Sequence, residues 1–157
     1  MNALRLTVLA TAFTAVCTGA FAQSPFEGFK GKMKEGLYDY KMEMDMGNIP
    51  GLPPGMGKQS FNVQNCVTSQ DIDKGTFGRG RDGKMPENCE VRDFKMSGNS
   101  ATYTMECKGN PPMKADNKIT FVGDGFDMDM KMAMSQGGQV MNVNQKIKAR
   151  HVGPCKK

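Results

Sequence analysis

The chain has no tryptophan and a single histidine, His151, in 157 residues. One imidazole leaves no partner for a His-rich metal site, and no serine sits in a G-x-S-x-G nucleophile elbow. Branched aliphatic residues are scarce as well. Beyond residue 22 there are 2 Leu, 4 Ile and 7 Val against 14 Met. A core of the usual Leu/Ile/Val kind is therefore excluded; it has to draw on methionine, seven Phe and three Tyr. The same stretch contains no apolar run long enough to span a bilayer. Close C-x-x-C spacing is missing, which argues against structural zinc. The chain is expected to be no enzyme and to need no cofactor or metal.

Residues 1–22, "MNALRLTVLATAFTAVCTGAFA", carry one positive charge (Arg5), an apolar stretch from Leu6 to Val16 and a small-x-small ending, Ala20-Phe21-Ala22. This pattern reads as a cleaved secretory signal. Val16 stands before Cys17 where a lipobox wants a small residue, so a soluble periplasmic product is expected over a lipidated one, with secretion as the alternative. The remaining 135 residues suit one domain. Their net charge of +4, without aromatic-basic interleaving, is far below what a nucleic-acid binder needs. Partners are otherwise open: an apolar small molecule or an envelope component.

Four cysteines remain after cleavage: Cys66, Cys89, Cys107 and Cys155. An even count in an exported chain reads as two disulfides with three possible connectivities. The strand pattern narrows these. Residues 23–35 are polar and Lys/Gly-rich, a loose lead-in to a domain over 36–155. From Leu37 the period is 2, with Tyr38, Tyr40, Met42, Met44 and Met46 on one face and Asp39, Lys41, Glu43 and Asp45 on the other. "GNIPGLPPGMG" (47–57) is loop, and "KQSFNVQNCV" is a second strand with Phe61 and Val63 inward. A polar connection over 68–87 has room for one helical turn near "SQDID". "CEVRDFKM" and "ATYTMEC" flank "SGNS" as a hairpin, and the poor alternation at Arg92-Asp93 predicts a bulge. In the last third Ile119 and Phe121 alternate into "GDG". Phe126, Met128, Met130, Met132 and Met134 then alternate with Asp127, Asp129, Lys131 and Ala133, and Met141 to Arg150 return after "SQGGQ". With Gly137-Gly138 at the turn, Met134 faces Met141, Met132 faces Val143 and Met128 faces Ile147.

About seven antiparallel strands and almost no helix predict an all-β fold. The sheet has to curl over its apolar face, as a curved meander or partly closed barrel. A three-residue loop Ser97-Gly98-Asn99 would set Cys89 opposite Cys107, subject to a shift of one from the bulge. That leaves Cys66 with Cys155 by elimination. A plain meander would put those two at opposite ends of the sheet. A crossover in 68–87 that makes the second and third strands parallel would bring both to the same end.

Several stretches together resemble the bacterial DUF3617 family of small exported proteins: "GLYDYKMEMDM", the Pro/Gly/Met loop, "QNCVTSQDI", "NCEVRDFKMSGNSATYTMEC", "ITFVGDGFDMDMKM" and "ARHVGPC". The resemblance covers about 36–155 and implies export, an all-β domain and disulfides. It implies no activity and no catalytic residues. Tyr38 departs from it, since the family is expected to favour Trp there.

Tyr38, Tyr40, Met42, Met44, Met128, Met130 and Met132 are read first as core and second as a deformable lining for a ligand. The third reading is a thioether site for Cu(I) or Ag(I), ranked last because the core needs the methionines and histidine is nearly absent. Ile49, Leu52 and Met56 are a possible lid. "GRGRDG" (78–83) matches G-x-G-x-x-G by chance, with no βαβ unit around it. Lys146, Lys148, Arg150, Lys156 and Lys157 read as a charged strand edge, Asp127 and Asp129 as solvated carboxylates, and His151 as a solvated residue beyond the last strand. The favoured function is a small binding module using a concave Met/aromatic face. The alternative is a structural or interaction protein of the envelope.

Overall fold

Alternation of apolar and charged residues builds seven strands in the computed structural model, which describes residues 24–47, 57–77, 88–136 and 138–155. They are β1 Gly36–Asp45, β2 Lys58–Val67, β3 Cys89–Ser97, β4 Ser100–Cys107, β5 Met113–Val122, β6 Gly125–Gln136 and β7 Gln139–Gly153. A 3-10 helix, Pro25–Phe29, precedes them, and one short helix, α1 Ser69–Lys74, follows β2. No helix among the described residues is long and apolar enough to cross a membrane.

All seven strands form one antiparallel sheet in the order β2-β1-β7-β6-β5-β4-β3. The sheet does not close: β2 and β3 are its edges. It is a five-strand meander, β3 to β7, with the β1–β2 hairpin added on the β7 side, so the connection after β2 crosses from one edge to the other. Six successive reversals across the sheet make β2 and β3 run the same way, as the crossover reading requires. Cys66 and Cys155 thereby come to the end of the sheet where Leu37 faces both Cys66 and Gly153, and they are disulfide-bonded. Cys89 and Cys107 form the second disulfide.

The helical turn expected near "SQDID" is α1. Thr68 accepts from the Asp71 backbone N–H at 3.2 Å, and the Asp71 carboxylate accepts from the Thr68 N–H at 2.9 Å. This reciprocal cap satisfies donors that the first turn leaves free. Gly75 ends the helix with φ 65°, and a Cβ there would run into the Phe26 ring. Only glycine fits both constraints.

Residues 23–35 differ from the expected loose lead-in. Ser24 caps the 3-10 helix and Pro25 opens it, and Phe26, Phe29 and Met33 are buried against the sheet. Phe29 packs on Phe121 of β5 and on Phe77 with ring centroids 5.1 and 5.5 Å apart, and Phe26 packs on Tyr103 of β4 at 5.4 Å. Phe77 in turn meets Phe126 of β6 at 5.1 Å, and its carbonyl accepts from the Tyr40 hydroxyl of β1. Three rings therefore bridge from β4 to β1, and one face of the sheet curls around them. Each fully buried ring contributes about 1.5–3 kcal/mol.

The buried centre is thus aromatic and aliphatic, with Tyr38, Phe29, Phe126, Ile119, Ile147 and Val67 the largest fully buried side chains. Among the described methionines only Met33, Met105 and Met128 are buried; Met42, Met44, Met130 and Met132 are half-buried. Alternation assigned the face correctly but not the depth, because an aromatic plug from outside the strands covers only one end of that face.

Candidate functional site: the methionine end of the inner face

Directly opposed residues on neighbouring strands share a face. Register therefore gives, row by row, the end of the inner face that lies beyond the plug. Nearest the plug, Met44, Gln145, Met130, Asn117 and Tyr103 lie side by side from β1 to β4. The next row is Val143, Met132, Ala115, Met105 and Val91. The last is Met141, Met134, Met113, Cys107 and Cys89. Met105, Ala115 and Val143 are buried, yet they stand outside the aromatic cluster. Met44, Met130, Met132, Met134, Met141 and Met113 are half-buried. On β2, Phe61 and Val63 share this face opposite Met42 and Tyr40, as expected, but are 38% and 41% exposed. As an edge strand, β2 has a neighbour on one side only.

Two polar side chains sit within this surface. Asn117 is 4% exposed and donates through Nδ2 to the Ala115 carbonyl at 3.0 Å and the Tyr103 carbonyl at 3.5 Å. Those donations orient the amide, and its Oδ1 is left buried without a hydrogen-bond partner. Gln145 Nε2 reaches the Met42 sulfur at 3.8 Å. Behind the last row, on the outer face, is a notch of about 370 Å³. The row Glu90, Glu106, Lys114 and Ala133, which alternates with the methionine row, lines it together with Val140, and Cys107, Met113 and Met134 border it.

The plugged end has different electrostatics. Tyr38 and Tyr40 are almost fully buried, and burial pushes both phenols above their ordinary range. Tyr38 donates to the Lys34 carbonyl at 2.8 Å and packs edge-on against His151. His151 is therefore a half-buried residue of β7, not a solvated one beyond the last strand. A Cβ on Gly36, whose φ is 145°, would run into its ring.

The outer face carries the charges. Lys146, Lys148 and Arg150 belong to an interior strand, which corrects the reading of them as a charged edge. Lys146 lies between Glu43 and Asp129, and Lys148 is opposite Asp127. Arg150 is opposite Asp39 and contacts the Asp127 carboxylate at 2.7 Å. Acids on both neighbouring strands match these cations, so no broad field of one sign develops. Two grooves cross this face, of about 720 and 560 Å³, and both are lined by residues of mixed charge.

Tyr38, Tyr40 and Met128 of the predicted set thus lie in or beside the closed aromatic core. Met42, Met44, Met130 and Met132 join the half-buried surface. Ile49, Leu52 and Met56 lie outside the described residues, as do the "GRGRDG" stretch and residues 1–22. Sequence reasoning missed Phe26, Phe29, Phe77 and Asn117. The first two were signalled by "SPFEGF", a cap residue, a proline and two rings three apart. The model of the family described as "Protein of unknown function (DUF3617)" matches residues 33–155. No curated protein and no solved structure matches the chain.

Proposed function

We propose that the chain, which belongs to the DUF3617 family, is an exported, non-enzymatic binding module that takes an apolar ligand against the methionine end of its inner face. The observation that carries this reading is the unequal cover of one continuous apolar face. Its aromatic end is packed shut, while Met44, Met130, Met132, Met134 and Met141 remain half-buried and Phe61 and Val63 exposed on the same side. Methionine has three rotatable bonds and a polarizable sulfur, and surfaces built from it adapt to varied apolar shapes. Asn117 Oδ1 supplies one buried acceptor for a hydroxyl or N–H on such a ligand. Two disulfides support an oxidising compartment, in line with the secretory pattern of residues 1–22.

The test is titration with a polarity-sensitive naphthylamine dye, followed by displacement with medium-chain fatty alcohols. Native mass spectrometry of protein purified from its own envelope complements it. Saturable dye binding, reduced by Met132→Gln and Met134→Gln, is the expected result. No dye binding and no co-purifying apolar molecule would reject the reading. The alternative, an interaction protein of the envelope, draws support from the free β2 edge, where apolar Phe61 and Val63 stand exposed.

A further inference from the structure

The buried centre does not draw mainly on methionine. Aromatic rings fill the buried centre instead, and Met113, Met134 and Met141 are not part of it. These three come from β5, β6 and β7, three adjacent strands, and the register sets Met134 directly opposite both Met113 and Met141. Directly opposed residues hold their Cβ atoms about 4.5–5.5 Å apart on one face. Each thioether then sits at the end of a flexible three-bond arm. Nothing in the sequence pairs Met113 with the other two; only the fold brings it there.

We propose that Met113, Met134 and Met141 form a three-thioether site for Cu(I). Soft thioether donors select this ion, whereas carboxylate and carbonyl oxygens suit hard cations. The surroundings favour the same choice. All three methionines are half-buried, so the sulfurs are shielded but reachable. Among the described residues, the two inner-face rows that hold these sulfurs, Met141 to Cys89 and Val143 to Val91, contain no carboxylate, so a hard cation has no acid to bind beside them. The neighbouring cysteine, Cys107, is held in its disulfide and offers no thiolate. Met132, one row nearer the plug, is the closest reserve donor on the same strand.

The site does not depend on the apolar-ligand reading, and a metal ion and a dye probe the two separately. Met→Leu keeps apolar volume at little cost to packing and removes the sulfur. The experiment adds Ag(I), a redox-inert stand-in for Cu(I), to the oxidised chain with both disulfides verified by intact mass. Uptake is read by native mass spectrometry and by the shifts of 13C-labelled methionine methyls. A Cu(I) titration against a competing chelator follows under ascorbate. One ion per chain is expected, with shifts concentrated on Met113, Met134 and Met141. Met134→Leu should weaken binding at least about tenfold, the lower bound seen when even an outer-shell partner is lost. The triple Met→Leu variant should lose uptake while its urea midpoint stays close to that of the wild type, as expected of a volume-conserving swap. No uptake, shifts spread evenly over all methionines, or uptake retained in the triple variant would overturn the proposal. Loss of dye binding by the wild-type chain with metal uptake intact would reject the apolar-ligand reading alone.

Discussion

Cys89 and Cys107 lie directly opposite each other on β3 and β4, with their Cα atoms 3.9 Å apart, and two irregularities that cancel put them there. Near the turn, Ser97 faces Ser100 across a two-residue turn, Gly98-Asn99, and not the three-residue loop expected. Between Arg92 and Lys95 the register shifts by one residue, with Asp93 at φ 52°. The turn moves the pairing one way and the bulge restores it.

Asp93 and Phe94 together oppose Tyr103, so deleting Asp93 should remove the bulge and leave Cys89 opposite Cys107. Non-reducing peptide mapping of that variant should find both the 89–107 and the Cys66–Cys155 bridges intact. The unaltered chain, reduced at that bridge alone, should lose about 3 kcal/mol on the loop-closure model, read from the urea midpoint. An 89–107 bridge lost in the deletion variant would show that Asp93 is not the residue that the bulge inserts.

The ring plug should dominate stability. Phe29 is fully buried among Phe26, Phe77, Phe94 and Phe121, so Phe29→Ala should cost about 3–5 kcal/mol. Met134→Ala, at the half-buried rim, should cost under about 1.5 kcal/mol, nearer the range of surface changes. Paired denaturant curves check this, and equal losses would contradict the unequal cover of the inner face.

Alkaline pH should weaken the domain through its buried phenols. The folded-state pKa values of Tyr38 and Tyr40 lie above the unfolded value of about 10, chiefly from burial. The stabilisation this represents is complete below pH 10 and is lost as pH rises from there toward the folded-state pKa. Urea midpoints at pH 8 and pH 11 should differ less in Tyr40→Phe than in the wild type. An unchanged difference would remove Tyr40 from the effect.

The α1 cap should act at the acid end. Partial burial raises the Asp71 pKa, but hydrogen bonds from the Thr68 hydroxyl and N–H and from Thr76 outweigh it and hold the carboxyl below its ordinary value. Its contribution is present above about pH 4 and is lost as pH falls through the folded-state pKa. Thr68→Ala should cost about 0.5–2 kcal/mol at neutral pH. Asp71→Asn should flatten the stability profile below pH 4; a profile as steep as the wild type's would argue against the cap.

Strand number and face were legible in the sequence because they follow from local pattern. A period of 2 states which residues share a face wherever it occurs, so Met134 opposite Met141 and Met128 opposite Ile147 could be read from a turn and two alternating runs. The Cys89–Cys107 pairing was legible for a similar reason, even though its stated loop was one residue too long.

Depth, neighbours and cover were not legible, because they depend on contacts between segments far apart in the chain. Alternation cannot say that Phe26 and Phe29, from before the first strand, close one end of the inner face and leave the methionines half-buried at the other. Nor can it say that β7 lies between β1 and β6, which places Lys146, Lys148 and Arg150 among acids and not on an edge. Met113 comes beside Met134 only because β5 pairs with β6 in one particular register. The sequence by itself determined the alternating strands, their apolar face and four cysteines in two pairs. The crossover from β2 to β3 and the packing of the aromatic plug are long-range, cooperative choices of the folded chain. They alone decided which part of that face is core and which is surface.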